Sequence, residues 1–186
     1  MFIGGERINW MTVCNYLGVS VCSGRNFCTN CEDRRRKFCV AANSIISHNL
    51  LSDECCMYVL RTQCIPILTY GAGVWRCTSE ILRGIGVTFN NAIRKVFHYR
   101  KFESVKDILR GFDMLPMDLY VKRVRLLLLF HCMKSERNIV KLCAKFNLEC
   151  DDVVNECEEL GLFISGVCKN DVKRAVWDEF VSIVGW

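Results

Sequence analysis

Proline is nearly absent from this chain, at 2 of 186 residues, and glycine contributes only 12. That scarcity excludes a collagenous or linker-like chain. No apolar run approaches the roughly 20 residues of a membrane span. The longest, Leu126-Leu127-Leu128-Leu129-Phe130, is bracketed by Arg125 and His131. Met1 to Trp10 lacks the charged head and apolar centre of a signal peptide, so the expectation is a soluble intracellular chain with no membrane partner. Histidine is rare, and His48, His98 and His131 show no pairing with cysteine or carboxylate that suggests nucleophilic catalysis. No glycine-rich phosphate loop is present either. Gly71-x-Gly73 and Gly84-x-Gly86 both lack the further Gly, Lys and Ser/Thr that such a loop needs.

What remains describes one packed domain, or one domain with a small appendage. Hydrophobic residues make up 51% of the chain and charged residues 24%, which excludes a disordered tail. The net charge of +5 is mild, but it is unevenly placed. Residues 76–125 carry eleven basic and five acidic side chains, whereas residues 126–186 carry seven and ten. Fourteen cysteines are scattered without a repeated spacing. Cys55, Cys56, Cys64, Cys132 and Cys157 fall at apolar positions of helical patterns and read as reduced, packed thiols.

Short strands are expected between Ile8 and Cys22, where Ile8, Trp10, Thr12 and Cys14 share one side of a period-two pattern. Ser23-Gly24-Arg25-Asn26 reads as a turn. The pattern then becomes helical. Phe38, Ala41, Ala42, Ile45 and Ile46 form an apolar stripe, and Asn30 with Asp33 resembles a capping box. Ser52 caps a second helix that Pro66 ends or kinks near Ile65. Tyr70-Gly71-Ala72-Gly73 permits close backbone approach. The clearest helix spans about Ser79 to His98, with Ile81, Leu82, Ile85, Phe89, Ala92, Ile93, Val96 and Phe97 on one face and Asn91, Arg94, Lys95 and His98 on the other. Ser104 and Asp107 start a short helix that Gly111 stops, and another runs from about Met117 to Lys134. In the tail, Gly161 ends one short helix and Asn170 caps another.

Four stretches, in order, resemble the C-terminal part of a reverse transcriptase from a non-LTR (LINE-like) retrotransposon: Trp10 to Gly18 (WMTVCNYLG), Arg36 to Ile45 (RKFCVAANSI), Cys64 to Gly71 (CIPILTYG) and Asn90 to Phe97 (NNAIRKVF). The resemblance covers about residues 8–135. It implies that Tyr16, Leu17 and Gly18 belong to a primer-grip hairpin that touches the primer end. The helices that follow would form a thumb holding the template–primer duplex, with Arg94 and Lys95 at the family's Arg-Lys positions. The catalytic Tyr/Phe-x-Asp-Asp turn of such polymerases precedes the Tyr-Leu-Gly element. Here the fifteen residues before Tyr16 hold a single acid, Glu6, so the expectation is a fragment that does not polymerise. Asp151-Asp152 lies on the far side of the thumb, where a helix N-terminus accounts for it.

Each remaining signal has a plainer reading beside it. Cys28-x-x-Cys31, flanked by Cys22 and Cys39, is the best metal candidate, but it lacks the second close pair or histidine pair of a zinc site. No cofactor is expected. Arg34-Arg35-Arg36-Lys37 reads either as a nucleic-acid patch or as a solvated helix face offset by Glu32 and Asp33. Arg94, Lys95 and His98 read either as a phosphate-facing stripe or as the wet side of an amphipathic helix.

The sequence therefore predicts a mainly α chain, a short N-terminal β-hairpin followed by a thumb-like helical bundle. The expected segments are a primer-grip-like β segment over residues 1–25, a helical domain over 26–135 and an acidic helical tail over 136–186. The expected function is non-catalytic, sequence-independent binding of an RNA–DNA or DNA duplex, with Tyr16, Gly18, Arg94, Lys95 and His98 as contacts. The alternative is a helical interaction or structural module that self-associates through the surface a palm would cover.

Overall fold

The computed structural model describes residues 11–23, 28–47, 51–74 and 78–142, together with Phe2–Ile3, Glu6–Arg7, Asn9 and a few positions between 171 and 182. The order of elements is mainly helical, with the strands gathered at the N-terminus. Strands β1 (Phe2–Ile3) and β2 (Glu6–Arg7) pair antiparallel as a separate ribbon. Strands β3 (Val13–Tyr16), β4 (Val19–Cys22) and β5 (Cys28–Asn30) form an antiparallel sheet in that order. Tyr16 pairs with Val19, which leaves Leu17 and Gly18 as the whole turn. Both adopt positive φ, 46° and 77°, the twist that two-residue hairpins favour. The Tyr-Leu-Gly element is thus a strand end and a turn rather than a strand. β5 lies beyond residue 25 and pairs Ser20 to Asn30 and Cys22 to Cys28, so one sheet runs across that position.

Helix α1 (Glu32–Ile46) begins after a single residue, Cys31, beyond β5. Asn30 supports it through an Asx turn, its Oδ1 accepting from the Glu32 N–H at 2.8 Å, in place of the expected capping box. Helix α2 (Asp53–Val59) starts at Ser52, whose hydroxyl accepts from the Cys55 N–H. Pro66 does not end this helix. The chain widens into a π turn over Leu60–Cys64 and continues as α3 (Ile65–Thr69), with Pro66 in its first turn. Proline lacks an N–H and crowds the carbonyl four residues back; one wider turn relieves both conflicts. The small-residue stretch follows as a 3₁₀ turn over Ala72–Val74. Gly73 lies against Leu128, whose Cδ2 sits 2.5 Å from where a Cβ would be.

Helix α4 (Ser79–Val96) is capped by the Thr78 hydroxyl. It stops two residues before the expected end. His98 turns left-handed at φ 54°, and Tyr99 N–H closes back on Arg94 O at 2.8 Å, a Schellman closure without glycine. Helix α5 (Lys106–Gly111) ends the same way. Asp113, not Gly111, takes the left-handed position, and Met114 N–H bonds to Leu109 O. Helix α6 (Met117–Met133) completes the bundle.

The helices pack around Phe38, Met57, Leu60, Leu68, Ile85, Phe89, Ile93, Leu109 and Val121, all essentially without solvent access. Each such side chain contributes roughly 1.5–3 kcal/mol relative to exposure. Phe38 of α1 and Phe89 of α4 meet at 6.5 Å between ring centroids. Ala42 and Ala92 are buried with them in the same core. The expected stripes of α1 and α4 are therefore the ones buried. Cys56 and Cys64 are buried as expected, but Cys55 is exposed. Residues 138–142 are helical. Asp151-Asp152, Cys157, Gly161, Asn170, His48 and the Gly24-Arg25-Asn26 turn lie outside the described residues.

Candidate nucleic-acid interface

Helical spacing places Arg35, Cys39 and Asn43 in one row on α1, four residues apart. On α4 the same spacing aligns Val87, Asn91, Arg94 and Lys95. Bulky Phe38 and Phe89 hold the helices together, while Ala42 and Ala92 fill little space beside them. The result is a cleft of about 540 Å³ between the two rows, lined also by Tyr99 and Lys101 from the segment after α4. Arg35, Arg94, Lys95 and Lys101 line it, with Asn43 and Asn91 between them and no carboxylate among the described residues of the lining.

The cations are held mostly by neutral acceptors. Lys95 Nζ reaches across the cleft to Asn43 Oδ1 at 2.9 Å. Arg94 donates through Nη1 to Asn91 Oδ1 at 3.0 Å and through Nε to the Glu103 carbonyl at 2.8 Å. Arg35 Nε donates to Thr88 Oγ1 at 3.0 Å, which ties α1 to α4. Its Nη1 meets the Glu32 carboxylate at 2.5 Å. Arg35 is thus partly neutralised, whereas Arg94, Lys95 and Lys101 form no ion pair among the described residues. Neutral partners fix a cation's position without cancelling its charge, which is what a phosphate-binding wall requires.

Lys37 and Arg34 of the basic run are used locally. Lys37 forms a 2.7 Å ion pair with Asp33. That hydrogen bond holds the Asp33 carboxyl below its usual range. Arg34 donates to the Gly18 carbonyl, and its guanidinium lies 4.4 Å from the Tyr70 ring centroid. Tyr70 Oη donates to the Leu17 carbonyl at 2.9 Å. The Tyr-Leu-Gly turn, the start of α1 and the Tyr70-Gly71 segment therefore meet at one point, although they are up to 53 residues apart. Both carbonyls of the turn are occupied by this clamp, so Gly18 serves the fold first. Tyr16 stands beside it, 69% exposed.

The sequence-predicted residues separate into three places. Arg94 and Lys95 share the cleft. Tyr16 and Gly18 sit at the hairpin tip and line no part of that cleft. His98, taken off the α4 face by its left-handed backbone, is exposed and also outside the lining. The hairpin does approach α4 elsewhere. Cys22 of β4 and Gly84 of α4 line a second hollow of about 500 Å³ on the other side of Arg35, together with Glu32 and Glu80. From Gly84 to Lys95 is eleven helical residues, about 16 Å.

Sequence reasoning missed Asn43, Tyr99 and Lys101, and it offered Arg35 only as one member of a basic run with two readings. The run did not distinguish Arg35, which faces the cleft, from its neighbours, because Glu32 and Asp33 offset the charge of the run as a whole. Lys101 follows the left-handed stop, where helical periodicity carries no information. Among the described residues no group of three metal-ligating side chains converges. Cys31 is buried, Cys39 is exposed on α1, and the Cys28 side chain lies outside the described residues. No helix among the described residues is long and apolar enough to cross a membrane. No protein-family model, no curated protein and no solved structure matches this chain.

Proposed function

We propose that this chain is a nucleic-acid-binding remnant of a LINE-like reverse transcriptase, a primer-grip hairpin and thumb that hold a template–primer duplex without catalysing its extension. The observation that carries the reading is the α1–α4 cleft, where, among the described residues, Arg94, Lys95 and Lys101 form no ion pair and no carboxylate joins the lining. Backbone phosphates suit such a wall, and recognition through them is indifferent to sequence. The clamp of Arg34 and Tyr70 on the hairpin turn adds support, because Tyr70 joins two of the stretches on which the resemblance rests and Arg34 stands two residues ahead of a third.

Fluorescence anisotropy with a labelled RNA–DNA hybrid across a salt series tests the proposal. Converting Arg94 and Lys95 together to Ala should weaken binding at least tenfold and make the slope of log K against log salt shallower by about 1–2. An unchanged affinity and slope would exclude the cleft as the contact surface.

A second reading, self-association, is favoured by β3. It is an edge strand with all four residues exposed, and Leu17 beside it is 75% exposed. Sedimentation of the same samples separates the two, since self-association predicts a dimer whose formation ignores both salt and the double substitution.

A further inference from the structure

A pocket of about 640 Å³ lies on another side of the bundle, between the π turn, the α5–α6 connection and the first turns of α6. Its size suits one drug-sized or nucleotide-sized ligand. Buried Ile65 and Leu115 contribute apolar lining. Arg61, Asp113 and Arg123 bring three charges to it, and none of the three is ion-paired among the described residues. Arg61 Nη1 donates to the Phe112 carbonyl at 3.2 Å, and among the described residues its other guanidinium donors meet no acceptor. Arg123 lies 4.8 Å from the Tyr120 ring centroid. It makes no hydrogen bond to a protein acceptor among the described residues, although it is half-buried. π turns of this kind recur at functional sites.

A stacked guanidinium and ring, a second guanidinium, an apolar lining and one acceptor carboxylate form a specific set. Together they match a planar base joined to a phosphate: the base against the apolar lining and Tyr120, the phosphate between the guanidinium groups, and Asp113 accepting from a sugar hydroxyl or base amine. We propose that the pocket bounded by Arg61, Asp113, Tyr120 and Arg123 binds a single nucleotide, either free or as the unpaired end of a strand. The site stands apart from the α1–α4 cleft and does not depend on the duplex-binding reading.

The full-length chain is titrated calorimetrically with AMP, and separately with a 5′-phosphorylated dT4 oligonucleotide. Binding of at least one probe should weaken tenfold or more in Arg123→Gln and in Tyr120→Leu, each shown by circular dichroism to be folded. It should remain unchanged when Arg94 and Lys95 are both Ala. AMP binding that depends on Arg123 identifies a free nucleotide site, and dependence seen only with dT4 identifies a strand end. If neither probe binds at millimolar concentration, or if binding ignores Arg123 and Tyr120 but is lost with Arg94 and Lys95, the site is overturned.

Discussion

At the residue scale, two left-handed positions carry opposite consequences. Gly18 sits at φ 77°, and an added Cβ would lie 2.8 Å from Arg34 Nη2. Gly18→Ala should therefore cost about 1–3 kcal/mol, read as a lower urea midpoint, by straining the turn and displacing the Arg34 clamp. His98 holds a similar backbone, φ 54°, without glycine. Exchanging it for Gly removes that strain and should gain about 0.5–1 kcal/mol after the entropy glycine adds to the unfolded chain. Since His98 lies outside the cleft, the His98→Gly variant should bind the RNA–DNA hybrid as the parent does. The turn residues were not legible as a turn. Leu-Gly is a poor two-residue signature beside Asn-Gly, because leucine rarely accepts φ of 46°. What holds it there is Tyr70, 53 residues away, and no local pattern announces so distant a contact.

At the element scale, α1 and α4 form one unit whose apolar sides make the core and whose polar sides make the cleft. Phe89 lies wholly in the core, against Phe38, and so sets the spacing of the two helices. Phe89→Ala should cost about 3–5 kcal/mol by thermal or urea unfolding, and the surviving folded fraction should bind the hybrid more weakly because the two rows lose their spacing. The α4 stripe was readable because Ile81, Ile85, Phe89, Ala92, Ile93 and Val96 repeat at helical period, and the structure buries all but the partly buried Ile81. The polar rows repeat at the same period, but any solvated helix face shows such a row. Only packing decides that the α1 row and the α4 row face one gap. Pro66 illustrates the complementary limit. A proline inside a helical pattern signals a break, yet here a single π turn absorbs it and the helical path continues to Thr69.

At the scale of the whole molecule, charge and fold converge. The basic excess of residues 76–125 is divided mainly between Arg83, Arg94, Lys95, Arg100 and Lys101 on α4 and just after it and Lys122, Arg123 and Arg125 on α6. Of these only Arg94, Lys95 and Lys101 line the cleft, where α1 supplies the opposite wall through Arg35 and Asn43. That mainly helical bundle and its N-terminal hairpin were legible in periodicity and turn chemistry. Which side of the bundle meets a polyanion was not, because charge density along the chain does not say which cations are already neutralised by neighbours.

The chain carries its own reporter of that surface. Cys39 is exposed on the α1 wall of the cleft, one turn from Arg35, whereas Cys55 is exposed on α2 and lines no part of the cleft. The rate of Cys39 alkylation by N-ethylmaleimide, measured by mass spectrometry with and without saturating RNA–DNA hybrid, tests the assignment directly. If a duplex lies along α1 and α4, the Cys39 rate falls about tenfold or more while the Cys55 rate holds. Equal Cys39 rates in the free and the bound chain would place the duplex somewhere other than this cleft.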